Sequence, residues 1–160
     1  MQQRIVPNLW FDGDAEQAAE FYVSVFPNSR VLGVTRYPED SPGPAGSVMT
    51  VEWELDGQRF VGINGGPQFP FSEAVSFQIT CKDQAEVDHY WDALVAGGQE
   101  SQCGWLKDRY GLSWQVVPEG MEEVLQDPDS ERAQRAMQAM LGMAKLDVEA
   151  LRRAADGVPA

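Results

Sequence analysis

The hydrophobic positions change period within the first quarter of the chain. Residues 5–11 (IVPNLWF) alternate as a strand does, with Pro7, Leu9 and Phe11 on one face and Val6, Asn8 and Trp10 on the other. Beyond them Ala18, Phe21, Tyr22 and Val25 recur at i, i+3, i+4 and i+7. That spacing predicts an amphipathic helix, N-capped by Asp14 and stopped at Pro27-Asn28. A strand over 30–37 (RVLGVTRY) follows, then a loop of turn formers (PEDSPGPAG). Residues 47–55 alternate again, Met49, Val51, Trp53 and Leu55 against Thr50, Glu52 and Glu54. Asp56-Gly57 then predicts a hairpin into a partner strand over 58–64 (QRFVGIN).

The same order starts a second time. Residues 74–81 (AVSFQITC) set Phe77, Ile79 and Cys81 against Ser76, Gln78 and Thr80. The next segment predicts a helix capped by Asp83, striped by Val87, Tyr90, Trp91 and Leu94 and closed by Gly97-Gly98. Short extended pieces at 100–102 and 104–107, the turn DRYG and a strand over 112–117 complete the copy. Superposing the two helices matches Asp14 to Asp83, Phe21-Tyr22 to Tyr90-Trp91, and Val25 to Leu94. The chain is therefore expected to be α+β: one βαβββ module over 1–68, a second over 69–119, and a helical extension over 120–160, within a single structural domain. In that extension MEEVLQ and residues 130–156 have helical composition, and Met137, Met140, Leu141 and Met143 form an apolar stripe expected to pack on the body or on a second subunit.

Charge narrows the function classes. With 25 acidic against 12 basic residues the formal net charge is −13, so a phosphate backbone would be repelled. No apolar run has the roughly 20 residues of a membrane span, and the first residues lack a secretory signal pattern, so a cytoplasmic protein is expected. The two cysteines, Cys81 and Cys103, sit in or beside apolar segments, which favours free thiols.

Three stretches, LWFDGDAEQAAEFYVSVFPNS, ELDGQRFVGINGGPQFPF and CGWLKDRYGLSWQVVP, resemble the PhnB-like branch of the vicinal oxygen chelate superfamily, whose domain often carries the label 3-demethylubiquinone methyltransferase. The superfamily includes glyoxalase I, bleomycin- and fosfomycin-resistance proteins and extradiol dioxygenases. The resemblance implies that each module curls into a half-barrel and that the helix-free faces line a ligand cleft. It also implies a divalent metal held by His, Gln or Glu from the first and last strands of each module. Here those positions fall on Val6 or Pro7, Asn64, Ser76 and Gln115. Of these only Gln115 is of a donor type the superfamily uses; Val6 and Pro7 cannot bind a metal, Ser76 is a poor ligand and Asn64 adds only a second neutral amide, so no metal and no cofactor are expected.

Other candidates for chemistry are weaker. His89 lies off the apolar stripe of its helix and is expected to be solvated; Asp108 is expected to cap the turn DRYG through its own backbone amides. Cys103 has no histidine placed to activate it, and Cys81 shares the covered face with Phe77 and Ile79. The connector NGGPQFPF brings Phe69 and Phe71 to the expected mouth of the cleft. The expected ligand-contacting set is Asn8, Trp10, Glu52, Asn64, Phe69, Phe71, Gln78, Cys103 and Gln115, an aromatic floor with amide donors suited to a small, partly apolar organic molecule. A homodimeric binding protein follows. The competing expectation is a metal-dependent lyase or oxidoreductase of the glyoxalase or dioxygenase type, with Glu52, Gln78 and Gln115 as improvised ligands. A methyltransferase fits less, since no glycine-rich nucleotide-binding turn follows a strand.

Overall fold

The computed structural model describes residues 3–159. It divides into two compact units, Met1–Phe71 and Ser72–Ala160. The first unit holds β1 (Asn8–Phe11), α1 (Ala15–Val25), β2 (Arg30–Arg36), β3 (Val48–Leu55) and β4 (Gln58–Asn64) in a sheet of order β1-β4-β3-β2. The second holds β5 (Ser76–Cys81), α2 (Gln84–Val95), β6 (Gln99–Glu100), β7 (Trp105–Lys107) and β8 (Ser113–Pro118) in the order β5-β8-β7-β6. The two topologies are the same: the first strand pairs in parallel with the last, and the remaining pairs are antiparallel. The tandem βαβββ expectation holds.

Alternation decides which face each helix covers. In the first unit Leu9, Phe11, Val51, Trp53, Leu55 and Phe60 are buried, beneath Ala15, Ala18, Ala19, Tyr22 and Val25 of α1. Trp53 stacks between Tyr22 and Phe60, with ring centroids 6.1 and 5.7 Å away. In the second unit Val87, Tyr90, Trp91 and Leu94 of α2 are buried with Ile79, Cys81, Leu106, Trp114 and Val116. By contrast every residue of β2, an edge strand, is exposed, Val31, Leu32 and Val34 included.

The two helices start differently. Asp83 caps α2 as expected, accepting from the Glu86 amide at 2.9 Å. Asp14 occupies the corresponding position of α1 but makes no side-chain cap bond. The Asn64 side chain does that work instead: its Oδ1 accepts from the Ala15 amide at 3.0 Å and its Nδ2 donates to the Val48 carbonyl at 3.1 Å. The end of β4 is thereby tied to the start of α1 and the start of β3.

The extension comprises α3 (Met121–Leu125), α4 (Ser130–Leu141) and α5 (Val148–Ala155), joined by a non-helical segment, so the helix expected over 130–156 is broken. The break has a physical reason. Cys103 and Gly104 donate their amides to the carbonyls of Met143 and Ala144, both at 2.8 Å, and Gln84 donates to the Leu146 carbonyl at 3.0 Å. Lys145 bridges Asp88 and Asp92 on α2 at 3.2 and 3.1 Å. Leu146, fully buried, sits over Gly104, where a Cβ would lie 2.8 Å from the leucine methyl; burying such a side chain stabilises by about 1.5–3 kcal/mol. Residues 143–146 thus form a strap across the second unit. The apolar stripe divides in consequence. Met140 and Met143 pack on Val124, Ala136, Leu151 and Ala155, whereas Met137 and Leu141 are exposed.

Replacing Asn64 by Ala is expected to destabilise the protein by about 2 kcal/mol, because it leaves a helix amide and a strand carbonyl without their partner. Asp14→Ala should change stability by less than about 0.5 kcal/mol. Urea unfolding followed by far-UV circular dichroism compares the two.

Candidate functional site

The helix-free face of each sheet gathers the residues that alternation assigned to it. On the first sheet Asn8 and Trp10 of β1 lie in register with Val61 and Ile63 of β4, which pair in turn with Glu52 and Thr50 of β3. Most of this row is half-buried, mixing aliphatic, aromatic and carboxylate groups. Glu52 is engaged there: its Oε2 accepts from Arg59 at 3.0 Å. Asn8 is exposed and donates to the Val6 carbonyl at 3.1 Å. Trp10 is held by the connector that follows β4. Its Nε1 donates to the Gly66 carbonyl at 2.9 Å and its ring covers Gly65, where a Cβ would lie 2.0 Å from the indole, so only glycine fits.

The connector separates its two phenylalanines. Phe69 meets Trp10 edge-on at 5.0 Å, whereas Phe71 meets the buried Phe11 at 5.3 Å, on the helix-covered side. They do not form one wall. Asn64 is 9% exposed, its side-chain amide bonded to Ala15 and Val48 while its backbone carbonyl accepts from the Tyr37 hydroxyl at 2.7 Å.

On the second sheet Gln115 of β8 lies between Gln78 of β5 and Trp105 of β7 in the ladder. Its Nε2 donates to Ser76 Oγ at 2.9 Å. Gln78 is exposed and Trp105 half-buried, so amide, hydroxyl and indole stand side by side. Trp114 points the other way, as alternation requires. Its Nε1 donates to Asp108 Oδ2 at 2.9 Å, while Asp108 Oδ1 accepts from the amides of Tyr110 and Leu112 at 2.8 and 3.1 Å. Asp108 is the buried cap of the turn DRYG, 2% exposed. Cys103 is turned toward α4: its thiol donates to the Met140 carbonyl at 3.5 Å. Cys81 is fully buried, and desolvation pushes its thiol up to about 12, helped by Glu86 and Asp83.

Two cavities were not legible as such in the sequence. One, of about 490 Å³, is lined in the first unit by Asp12, Glu16, Glu20, Tyr37 and Asn64 among others. The other, of about 200 Å³, lies on the second sheet beside Gln99, Trp105, Lys107 and Ser113, with Glu73 over it. Lys107 pairs with Glu73 and holds that carboxyl below the usual carboxylate range by hydrogen bonding. Among the described residues no group of three or more His, Cys, Asp or Glu side chains is placed to hold a metal ion.

The family model described as 3-demethylubiquinone-9 3-methyltransferase matches residues 3–117. The chain belongs to this PhnB-like family, a branch of the vicinal oxygen chelate superfamily. A solved structure described as a putative 3-demethylubiquinone-9 3-methyltransferase, PhnB protein, from Bacillus cereus is 34% identical, covering 72% of this chain and 99% of its own, with a TM-score of 0.67. Protein PA1353 from Pseudomonas aeruginosa is 22% identical over 74% of this chain and 98% of its own, TM-score 0.61. The fosfomycin resistance protein FosX from Listeria monocytogenes, described in complex with Mn(II) and sulfate, shares the fold at 13% identity, over 79% of this chain and 97% of its own, TM-score 0.54. No curated protein matches the chain. Within this family the extension beyond residue 117 lies outside the matched region.

The Cys81 thiol gives a pH signature. It ionises near 9 when exposed and near 12 when folded, so its contribution to stability is constant below about pH 9 and falls as pH rises toward about 12. Iodoacetamide at pH 8 should leave Cys81 unmodified in the native protein and label it in 6 M guanidinium, as read by peptide mass spectrometry.

Proposed function

We propose that this PhnB-like protein binds a small, partly apolar organic molecule on the helix-free faces of its sheets, without a divalent metal, as a homodimer in the cytoplasm. The observation that carries the proposal is the row Gln78, Gln115 and Trp105, with Ser76 bonded to Gln115. Neutral amides and a hydroxyl orient a polar group, and the indole offers an apolar surface for the rest of the molecule. This is ligand-binding chemistry.

The donors at the family's metal positions do not suit a divalent ion. Gln115 is neutral and already bonded to Ser76, and Asn64 is committed to Ala15 and Val48. Glu52, the one carboxylate invoked by the enzyme alternative, is neutralised by Arg59 at 3.0 Å. The Mn(II) described for FosX is therefore not carried to this chain, and no catalytic step is routed through a metal. Methyl transfer, which the family description names, has no counterpart in any group identified on either face.

The homodimer is supported by Met137 and Leu141, one turn apart on the outer face of α4 and 41% and 58% exposed.

The metal-free reading is tested on the purified protein by elemental analysis together with thermal shift in zinc, manganese, nickel and chelator. Substoichiometric metal and an unmoved melting temperature are expected, because only a ligand that binds the folded state raises it. One equivalent of metal that disappears in Gln115→Ala would overturn the reading. In the assembly test, light scattering should give twice the chain mass for the wild type and the single-chain mass for Met137→Glu combined with Leu141→Glu.

A further inference from the structure

The 200 Å³ cavity of the second unit is lined in part by Ser113, whose hydroxyl the fold leaves unused. Ser113 is 1% exposed, and its Oγ has no hydrogen-bond partner among the described residues. Burying a hydroxyl without a partner costs stability, since its water contacts are lost and nothing replaces them. A group in that state at the wall of a cavity is satisfied when a ligand atom arrives.

The ladder specifies what surrounds it. Ser113 lies opposite Lys107 on β7, and Lys107 lies opposite Gln99 on β6, so the three form one row across the sheet. The next row begins with Trp105, which also lines the cavity. Lys107 is the cation here, and it is occupied by Glu73, a carboxylate from the turn before β5 whose side chain is 61% exposed. An exposed ion pair of this kind is worth little, so the Glu73 carboxylate is readily exchanged for another. The chain's own carboxylate stands where a ligand's would.

We propose that this cavity is a subsite for small molecules that carry a carboxylate on a flat apolar body. The carboxylate replaces Glu73 on Lys107 and accepts the Ser113 hydroxyl proton as a hydrogen bond, while the body lies along Trp105. No bond is made or broken. The volume is below the range of about 300–1,000 Å³ usual for ligand pockets, which limits the occupant to about the size of benzoate. The proposal rests on the reading that the helix-free face binds small organic molecules, and names their class.

The experiment titrates the full-length protein with benzoate, with its neutral analogue benzamide and with a set of neutral aromatics, by calorimetry and by amide chemical shifts. Benzoate is expected to bind at least about tenfold tighter than benzamide, as a charge-assisted bond exceeds a neutral one. Glu73→Gln should strengthen benzoate binding, and Lys107→Met should abolish the preference for benzoate. Ser113→Ala should weaken benzoate binding about fivefold without lowering the melting temperature of the free protein, because it removes an unsatisfied group. Equal affinity for benzoate and benzamide, or unchanged benzoate affinity in Ser113→Ala, overturns the carboxylate assignment. Neutral aromatics that shift the Trp105 and Gln115 amides where benzoate does not would remove this subsite and keep the broader reading. Silence from every probe removes both.

Discussion

Each unit depends on the parallel ladder between its first and last strands. Two strands that run the same way cannot be joined by a tight turn; here α1 or α2 and the intervening strands complete the connection. A single helix of 11 or 12 residues covers one face of a four-stranded sheet and no more. The other face must then make its own terms with its surroundings. That is why its residues range from half-buried to exposed with few fully buried, and why they mix indole, amide and carboxylate instead of being uniformly apolar.

The two units secure this arrangement with different buried polar groups. In the first, Asn64 ties the end of the last strand to the helix start; in the second, Asp108 gathers two backbone amides and the Trp114 indole at the turn before the last strand. Each satisfies donors that would otherwise be stranded in an apolar core. The units also differ in support. Among the described residues only the second carries a strap, and the Gly104 position beneath Leu146 shows how closely that segment is fitted. A duplicated unit has become two parts that are no longer interchangeable.

Much of this was legible in the residue order. Strict alternation assigned Trp53 to the covered face and Gln115 to the open one, and Asp-x-x-Gly chemistry assigned Asp108 to the turn. What the residue order does not announce has one cause, which is contact between residues far apart in the chain. Nothing local marks Asn64 as the cap of a helix that begins 49 positions earlier. Cys103 reads as a neighbour of aromatics until residues 140–144 arrive on it from the extension. The break in the last helix is a tertiary override of helical composition, since the strap carbonyls accept bonds from residues 84, 103 and 104. Phe69 and Phe71 stand two positions apart in one connector, yet their rings meet Trp10 and the buried Phe11 respectively, on opposite sides of the sheet.

The bare edge strand β2 gives the acidic composition a second meaning. Seven exposed residues, with Val31, Leu32 and Val34 among them and arginines only at the two ends, present an unpaired row of backbone donors and acceptors to any other extended chain. The strand contains no proline and no internal charge, and within it only the register shifts at Val31/Gly33 and Thr35/Arg36 interrupt that edge. A net charge of −13 adds protection at the level of the whole molecule, opposing the indiscriminate approach of one edge to another. Colloidal repulsion here adds to those local interruptions, so the surface carboxylates protect a strand they do not touch.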